Sequence, residues 1–375
     1  MNVGVVGCGV ISHHYAKNAS GFESFRLAVC ADLDPRAAAR LGEERGLSVA
    51  TVDELIADAS VELVLNLTPP SAHAAVTLES LAAGKHVYTE KPLATTVAEA
   101  RAIVAEAGRL GLRVGSAPDI FLGSAYQAAR ALVDEGMIGE PLTVSATMLA
   151  GGQGRWHPNA DIFYTDGAGP LLDMGPYYLT AIVALLGPIR RVAGFATTRI
   201  SERVIEVGPR EGERFVASTP THTAALLELD GGVAGTLVAS FESPEQFIGE
   251  IVVYGSEGAL ALPDPNGFDG PVRLRRGRGD WKDVEFAANA RQDVRGIGLH
   301  DLVESLANGH PHRASGELAH HVVDVARTIL ASAEEGRTLE VASRVERPAP
   351  RVATTGEATN GPRPDGLEPV APPTG

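Results

Sequence analysis

Over the first third of the chain, short apolar runs alternate with amphipathic stretches. Strand-like runs fall at residues 2–6, 26–31, 61–67, 86–89 and 112–116, with helical periodicity between them, as over 72–83 and 97–110. Strict alternation predicts an α/β unit, a doubly wound parallel sheet with right-handed crossovers. After a helix near 123–135 the pattern changes. Strand-like runs then succeed one another at 142–148, 191–197, 223–229, 233–240 and 249–254, and Asp230-Gly231-Gly232 joins two of them as a hairpin would. This half reads as α+β with a large, mainly antiparallel sheet. Leu318, Val322, Val325, Ala326, Ile329 and Leu330 mark one face of a late helix. From Pro348 onward there are seven prolines, four glycines and no aromatic residue, too little to build a core. The expected units are therefore 1–120, 121–347 and a disordered tail over 348–375.

The first strand breaks into Gly7-Cys8-Gly9-Val10-Ile11-Ser12 and then into a helix. Gly7 permits a tight turn, Gly9 allows the backbone close to a pyrophosphate, and the helix start at Val10 and Ile11 offers unpaired amides and a positive dipole end. Ser12 stands where a third glycine often sits. The second strand ends at Asp32, about twenty residues on, where a carboxylate would accept the ribose hydroxyls of a dinucleotide. That pairing is the start of a Rossmann domain for NAD(P). The carboxylate favours NAD, since it would repel the 2′-phosphate of NADP, although Arg36 one helical turn later would offset part of that repulsion. Asp34 and Pro35 read as the N-cap and first residue of the next helix.

Composition narrows the partners. The 375 residues are 44% hydrophobic and carry a net charge of −15, so nucleic acid and anionic membrane are poor partners and a small molecule fits better. No apolar stretch reaches the length of a spanning helix, and no basic segment with a hydrophobic signal region opens the chain; a cytoplasmic protein is expected. Cys8 and Cys30 fall on neighbouring strands as buried free thiols. The pairs His13-His14 and His320-His321 complete no ligand cluster, and no metal site is expected.

One segment carries a family signature. Glu90-Lys91-Pro92 directly follows the fourth strand, behind the glycine fingerprint and the loop Thr68-Pro69-Pro70-Ser71-Ala72-His73. In this order and spacing the motifs resemble the glucose–fructose oxidoreductase / inositol dehydrogenase (Gfo/Idh/MocA) family over nearly the whole chain, to about residue 346. The resemblance implies an NAD(P)-binding first domain, to which Thr68, Pro69, His73, Glu90 and Lys91 contribute. It also implies an open-faced second sheet used for homodimer or homotetramer contacts, and sugar, cyclitol or polyol substrates. Lys91 would lie near the nicotinamide and the reacting hydroxyl. An ammonium at the carboxyl end of a parallel strand can stabilise a developing alkoxide, whereas an isolated Glu-Lys-Pro reads as a surface ion pair.

The second motif, Gly167-Ala168-Gly169-Pro170-Leu171-Leu172-Asp173-Met174-Gly175-Pro176-Tyr177-Tyr178, departs from the family pattern. Relatives often carry a histidine base a few residues after the aspartate; here Tyr177 and Tyr178 occupy that stretch. Three proton acceptors stay open: Tyr177, if Lys91 lowers its pKa; His157, with the better intrinsic pKa; and Lys91 itself. Asp173 would orient substrate or base. Asp119, Trp156 and Tyr178 are candidate substrate contacts, with helix capping the alternative for Asp119 and a buried helix face for Tyr178. Arg313 is a weaker candidate ligand contact. The expected function is hydride transfer between a secondary alcohol and NAD(P). The alternative is a dinucleotide-binding regulatory protein that catalyses nothing.

Overall fold

The structure is a computed structural model; residues 1–165, 167–243 and 247–351 are described. The first unit runs β1 (Asn2–Val6), α1 (Val10–Asn18), β2 (Arg26–Ala31), α2 (Pro35–Arg45), β3 (Ser48–Val49), α3 (Val52–Ala57), β4 (Leu63–Asn66), α4 (Pro70–Ala82), β5 (His86–Thr89), α5 (Val97–Leu110) and β6 (Val114–Ser116). Its parallel sheet has the order β3-β2-β1-β4-β5-β6. The central strands β1, β4 and β5 are buried on both faces, so their sequences are near-continuous apolar runs, whereas the edge strand β3 is exposed. Local chemistry sets the helix starts. The Asp34 carboxylate accepts from the Arg36 amide with Pro35 at the first helical position, and Thr51/Glu54 and Thr96/Glu99 form reciprocal caps. The chain reverses direction across the sheet between β1 and β4, which is where a doubly wound sheet opens its ligand crevice.

The second unit runs α6 (Ser124–Asp134), β7 (Pro141–Leu149), α7 (Pro170–Asp173), α8 (Gly175–Leu186), β8 (Ile189–Thr197), β9 (Glu202–Val204), β10 (Arg214–Val216), β11 (His222–Leu229), β12 (Ala234–Ser240), β13 (Ile248–Gly255), β14 (Gly258–Leu262), β15 (Arg273–Arg276), β16 (Lys282–Asp283), α9 (Ile297–Asn308), α10 (Gly316–Glu335) and β17 (Leu339–Glu340). Nine of these strands form one sheet, β16-β15-β14-β13-β7-β12-β11-β8-β17, antiparallel at every neighbour pair except β12 with β7. The Asp230–Gly232 hairpin joins β11 to β12 as expected. Helices α8 and α10 cover one face, and the largest apolar core runs from β1 through α8 to α10, with two smaller clusters on the flanks of the first sheet. The other face stays open. There, Phe195, Ala224, Val238 and Thr147 lie in one cross-strand row.

Three features differ from expectation or add to it. The 297–308 helix and strands β14 and β15 escaped the sequence reading. At Pro348–Arg351 the expected tail begins as a strap: Arg130 donates to the Pro348 carbonyl at 2.9 Å, Arg313 to the Ala349 and Pro350 carbonyls, and the Arg351 amide to Gln127 at 2.6 Å. Residues 352–375, the rest of that expected tail, lie outside the described residues. Arg313 is committed to this strap and to an ion pair with Asp301 rather than to a ligand.

Candidate active site

The crevice is built by the turns after β1 and β4. Gly7 has φ +97°, and a Cβ there would sit 2.6 Å from the Leu67 carbonyl group, so only glycine lets the two turns meet. A Cβ on Gly9 would meet nothing within 4 Å, and no side chain caps the first turn of α1. Open space thus faces unpaired helix amides at Val10 and Ile11, the arrangement that accepts a pyrophosphate. Asp32 shapes the same turn. One of its oxygens accepts from the Cys8 amide at 2.7 Å and the other from the Asp34 amide at 2.8 Å. Each carboxylate oxygen keeps a lone pair for a ribose hydroxyl. These residues fit a dinucleotide. Arg36 points to Asp34 at 3.5 Å with an almost fully exposed side chain.

The loops after β4 and β5 are knitted together by His73. Its Nδ1 lies 2.6 Å from the Pro92 carbonyl and its Nε2 2.8 Å from the Thr68 carbonyl, in a buried setting that pushes its pKa below the ordinary value. The expectation that His73 contacts cofactor is therefore corrected: both ring nitrogens face protein carbonyls, and the neutral ring that burial favours donates its single N–H to one of them. Thr68 caps its own turn through Asn66 at 2.7 Å, and Pro69 precedes α4 at the crevice edge. Glu90 accepts from the Tyr15 hydroxyl at 3.0 Å and from the Lys91 amide at 3.1 Å, so it fixes the turn that launches Lys91.

Lys91 reaches across to the second unit. Its Nζ donates to Oδ1 and to the main-chain carbonyl of Asp173, both at 2.7 Å, with side chains only 16% and 11% exposed. Gln153 Nε2 donates to the other Asp173 oxygen at 2.6 Å. Burial alone would lower the Lys91 pKa, but Asp173 and, secondarily, Tyr177 and Glu90 outweigh it and hold the ammonium above its ordinary value. An ammonium has three N–H groups; two are committed, and the third is free for a substrate oxygen. Tyr177 flanks the pair, its ring centroid 5.2 Å from Lys91 Nζ and 5.7 Å from the Arg295 guanidinium. Arg295 Nη2 donates to the Tyr177 hydroxyl at 3.4 Å and to Asn266 Oδ1 at 3.2 Å. The phenol thus acts as acceptor toward Arg295 and keeps its own proton to give.

Four sequence expectations are revised by this geometry. Burial raises the Tyr177 pKa further than Lys91 and Arg295 lower it, so the phenol is not activated as a ready base. His157 makes no hydrogen bond or ring contact with Lys91, Asp173 or Tyr177 among the described residues; its Nδ1 accepts from the Asn159 amide, and its ring packs edge-on against Trp156 and Phe163. Asp119, fully buried, accepts through Oδ2 from the Gly296 and Gly298 amides at 3.2 and 3.0 Å, which makes it a long-range cap of α9, its Oδ1 being buried without a hydrogen-bond partner among the described residues. Tyr178 is also buried and donates to Asp264 at 2.9 Å. Trp156, 61% exposed, borders a cavity of about 380 Å³ that Gln153 also lines. Sequence reasoning missed Gln153 and Arg295. Gly151, Gly152 and Gly154 around Gln153 were the only hint of a constrained loop.

Comparisons with known proteins agree with this architecture. The family described as "Oxidoreductase family, NAD-binding Rossmann fold" matches residues 1–117, and the GFO/IDH/MocA C-terminal domain matches residues 126–261. The chain belongs to the Gfo/Idh/MocA oxidoreductase family. It is 26% identical over 362 residues to inositol 2-dehydrogenase of Burkholderia cenocepacia, covering 93% of this chain and 98% of that one. It is 26% identical over 281 residues to 1,5-anhydro-D-fructose reductase of Ensifer adhaerens, covering 70% and 83%. The solved structure of a levoglucosan dehydrogenase with NADH and L-sorbose superposes with TM-score 0.81 at 20% identity, covering 92% and 99%, which speaks to the fold. The Gfo/Idh/MocA protein described here is thus an oxidoreductase whose N-terminal unit is an NAD-binding Rossmann fold.

Proposed function

We propose that this protein transfers a hydride between a secondary alcohol of a sugar, cyclitol or related polyol and NAD, at a centre formed by Lys91, Asp173 and Tyr177. The observation that carries the reading is the buried Lys91–Asp173 pair with one ammonium N–H left over beside a proton-bearing phenol. When bound, the nicotinamide accepts the hydride in oxidation and supplies it in reduction. Lys91 holds the substrate oxygen and stabilises its negative charge as the C–H bond breaks or forms. Asp173, pinned by Gln153, keeps the ammonium charged and aimed. In reduction the Tyr177 phenol gives its proton to the substrate oxygen; in oxidation the proton returns to the same atom. Glu90 and His73 act by holding the two loops rather than by touching reactants. A buried ion pair so fully hydrogen-bonded would be a costly ornament in a protein that catalyses nothing, which disfavours the silent alternative.

Two expected results test parts of this reading. In Asp32→Ala, NAD binding weakens by about tenfold or more, since the ribose acceptor and the tether of the glycine turn are both lost, and the NADP-to-NAD affinity ratio rises. Calorimetric titration of both cofactors reads this; an unchanged ratio would show that Asp32 does not face the ribose. In His157→Asn, the pH–rate profile stays that of the parent, because the imidazole is engaged with its own loop. A displaced limb near neutral pH would restore His157 as the proton acceptor.

The division at about residue 120 and assembly through the open sheet face belong to the same proposal. Phe195 and Leu226 are 66% and 62% exposed there, which suits pairing with a second copy. Sedimentation that returns a monomer at micromolar concentration removes that assignment. The buried free thiols Cys8 and Cys30 fit a reducing, cytoplasmic setting. Among the described residues no helix is long and apolar enough to cross a membrane, and no cluster of His, Cys, Asp or Glu could hold a metal.

A further inference from the structure

The cavity of about 380 Å³ lies between the loop after β7 and the segments around Met174, Phe241 and Asn266, with Gln153 and Asn266 among its lining residues. These two connect it to the chemistry. Gln153 donates to Asp173 at 2.6 Å, and Asn266 accepts from Arg295, which in turn donates to the Tyr177 hydroxyl. The cavity is therefore the continuation of the Lys91–Asp173–Tyr177 centre, at the size of pockets that bury a ligand of several rings.

The polar side chains nearest the centre are half spent: the Gln153 amide N–H on Asp173 and the Asn266 carbonyl on Arg295. What is left to a ligand is the Gln153 carbonyl with one amide N–H, and the Asn266 amide N–H groups with one carbonyl lone pair. Arg155 and Trp156, both exposed, add donors at the mouth. Against these stand Met148, Met174, Phe241 and Phe247. A polyhydroxylated ring in this cavity would leave the hydroxyls that face Met148, Met174, Phe241 and Phe247 without partners, and each unmade hydrogen bond costs more than the burial of its carbon returns. An apolar ring gains from the same walls, and thioethers with aromatic edges and faces are the usual lining for one.

We infer that the alcohol oxidised at Lys91 is carried on a molecule with an apolar, aromatic-sized substituent that occupies this cavity, as in an aryl glycoside, rather than on a bare polyol. This rests on the hydride-transfer reading above. The reacting ring meets Lys91, Tyr177 and Asp173, whereas the substituent meets Met148, Met174, Phe241 and Phe247. Specificity then comes from the substituent as much as from the hydroxyl pattern.

Phenyl and methyl glycosides of glucose, galactose and mannose, offered with NAD to the intact protein, separate the possibilities. For the sugar that reacts best, kcat/KM is expected at least about tenfold higher for the phenyl than for the methyl glycoside. In Phe247→Ser, on the exposed side of the cavity, the ratio is expected to narrow toward one. Calorimetric binding of the same glycosides to the NADH-loaded protein gives a second readout independent of turnover, with the phenyl compound again tighter. If methyl and phenyl glycosides react and bind equally, or Phe247→Ser leaves the preference intact, the inference is overturned while hydride transfer stands. If no glycoside reduces NAD but phenyl compounds bind preferentially, the cavity assignment stands and the hydride-transfer reading is the part that fails.

Discussion

Replacing Lys91 by Ala lowers turnover by at least about a hundredfold, the scale for deleting one group that stabilises charge at the reacting oxygen. The loss falls on kcat, with NAD affinity changed far less, because both hydrogen bonds of the Lys91 ammonium go to Asp173 rather than to the cofactor-binding turn of β1. Truncation also strands the Asp173 carboxylate, only 11% exposed, so a stability loss of about 3–5 kcal/mol accompanies it. A thermal melt run beside the kinetics separates the two effects. Lys91→Arg keeps the charge for Asp173 but not the point geometry, and is expected to recover stability more than rate. Near-normal turnover in folded Lys91→Ala would remove Lys91 from the chemistry.

The second large effect is on the proton. Burial holds the Tyr177 pKa above the ordinary phenol value despite Lys91 and Arg295, so at neutral pH the phenol is protonated. As a donor in reduction it is then fully competent, and the reductive rate is flat until strongly alkaline pH. In oxidation the reactive form is the phenolate, whose fraction rises about tenfold per pH unit below the pKa, so the oxidative rate climbs through the alkaline range. Tyr177→Phe lowers turnover by about 10²- to 10⁴-fold and abolishes that climb. Retention of the alkaline rise in Tyr177→Phe would point to Lys91 as the titrating group.

Much of this site was legible in the chain because each part answers a local rule. The turn at Gly7 and Gly9 and the carboxylate at Asp32 follow from strand-turn-helix geometry, and Glu90-Lys91-Pro92 follows a strand whose carboxyl end must face the crevice. What escaped depends on contacts between distant segments. Asp119 caps α9 some 177 residues away, and nothing near it in sequence announces the partner. His73 has spacing suited to a ligand, yet the fold sets it between two carbonyls. Gln153 and Arg295 belong to irregular segments without periodicity, and their value appears only when the loop after β7 and the start of α9 converge on Asp173 and Tyr177. Helix α9 begins Gly296-Ile297-Gly298, where glycines mask the apolar pattern; a Cβ on Gly298 would collide with Tyr88 and Asp119.

If the Lys91–Asp173–Tyr177 centre moves a hydride between an alcohol carbon and NAD, the nicotinamide itself reports the reaction. Near-ultraviolet absorbance of reduced nicotinamide is read when the protein and NAD are mixed with one substrate whose reacting carbon carries hydrogen or deuterium. Cofactor reduction with a primary isotope effect is expected, slowed at least about a hundredfold in Lys91→Ala and Tyr177→Phe proteins that still bind NAD. Tight NAD binding without reduction by any sugar, polyol or glycoside, or equal rates in the parent and both variants, would contradict hydride transfer at this centre.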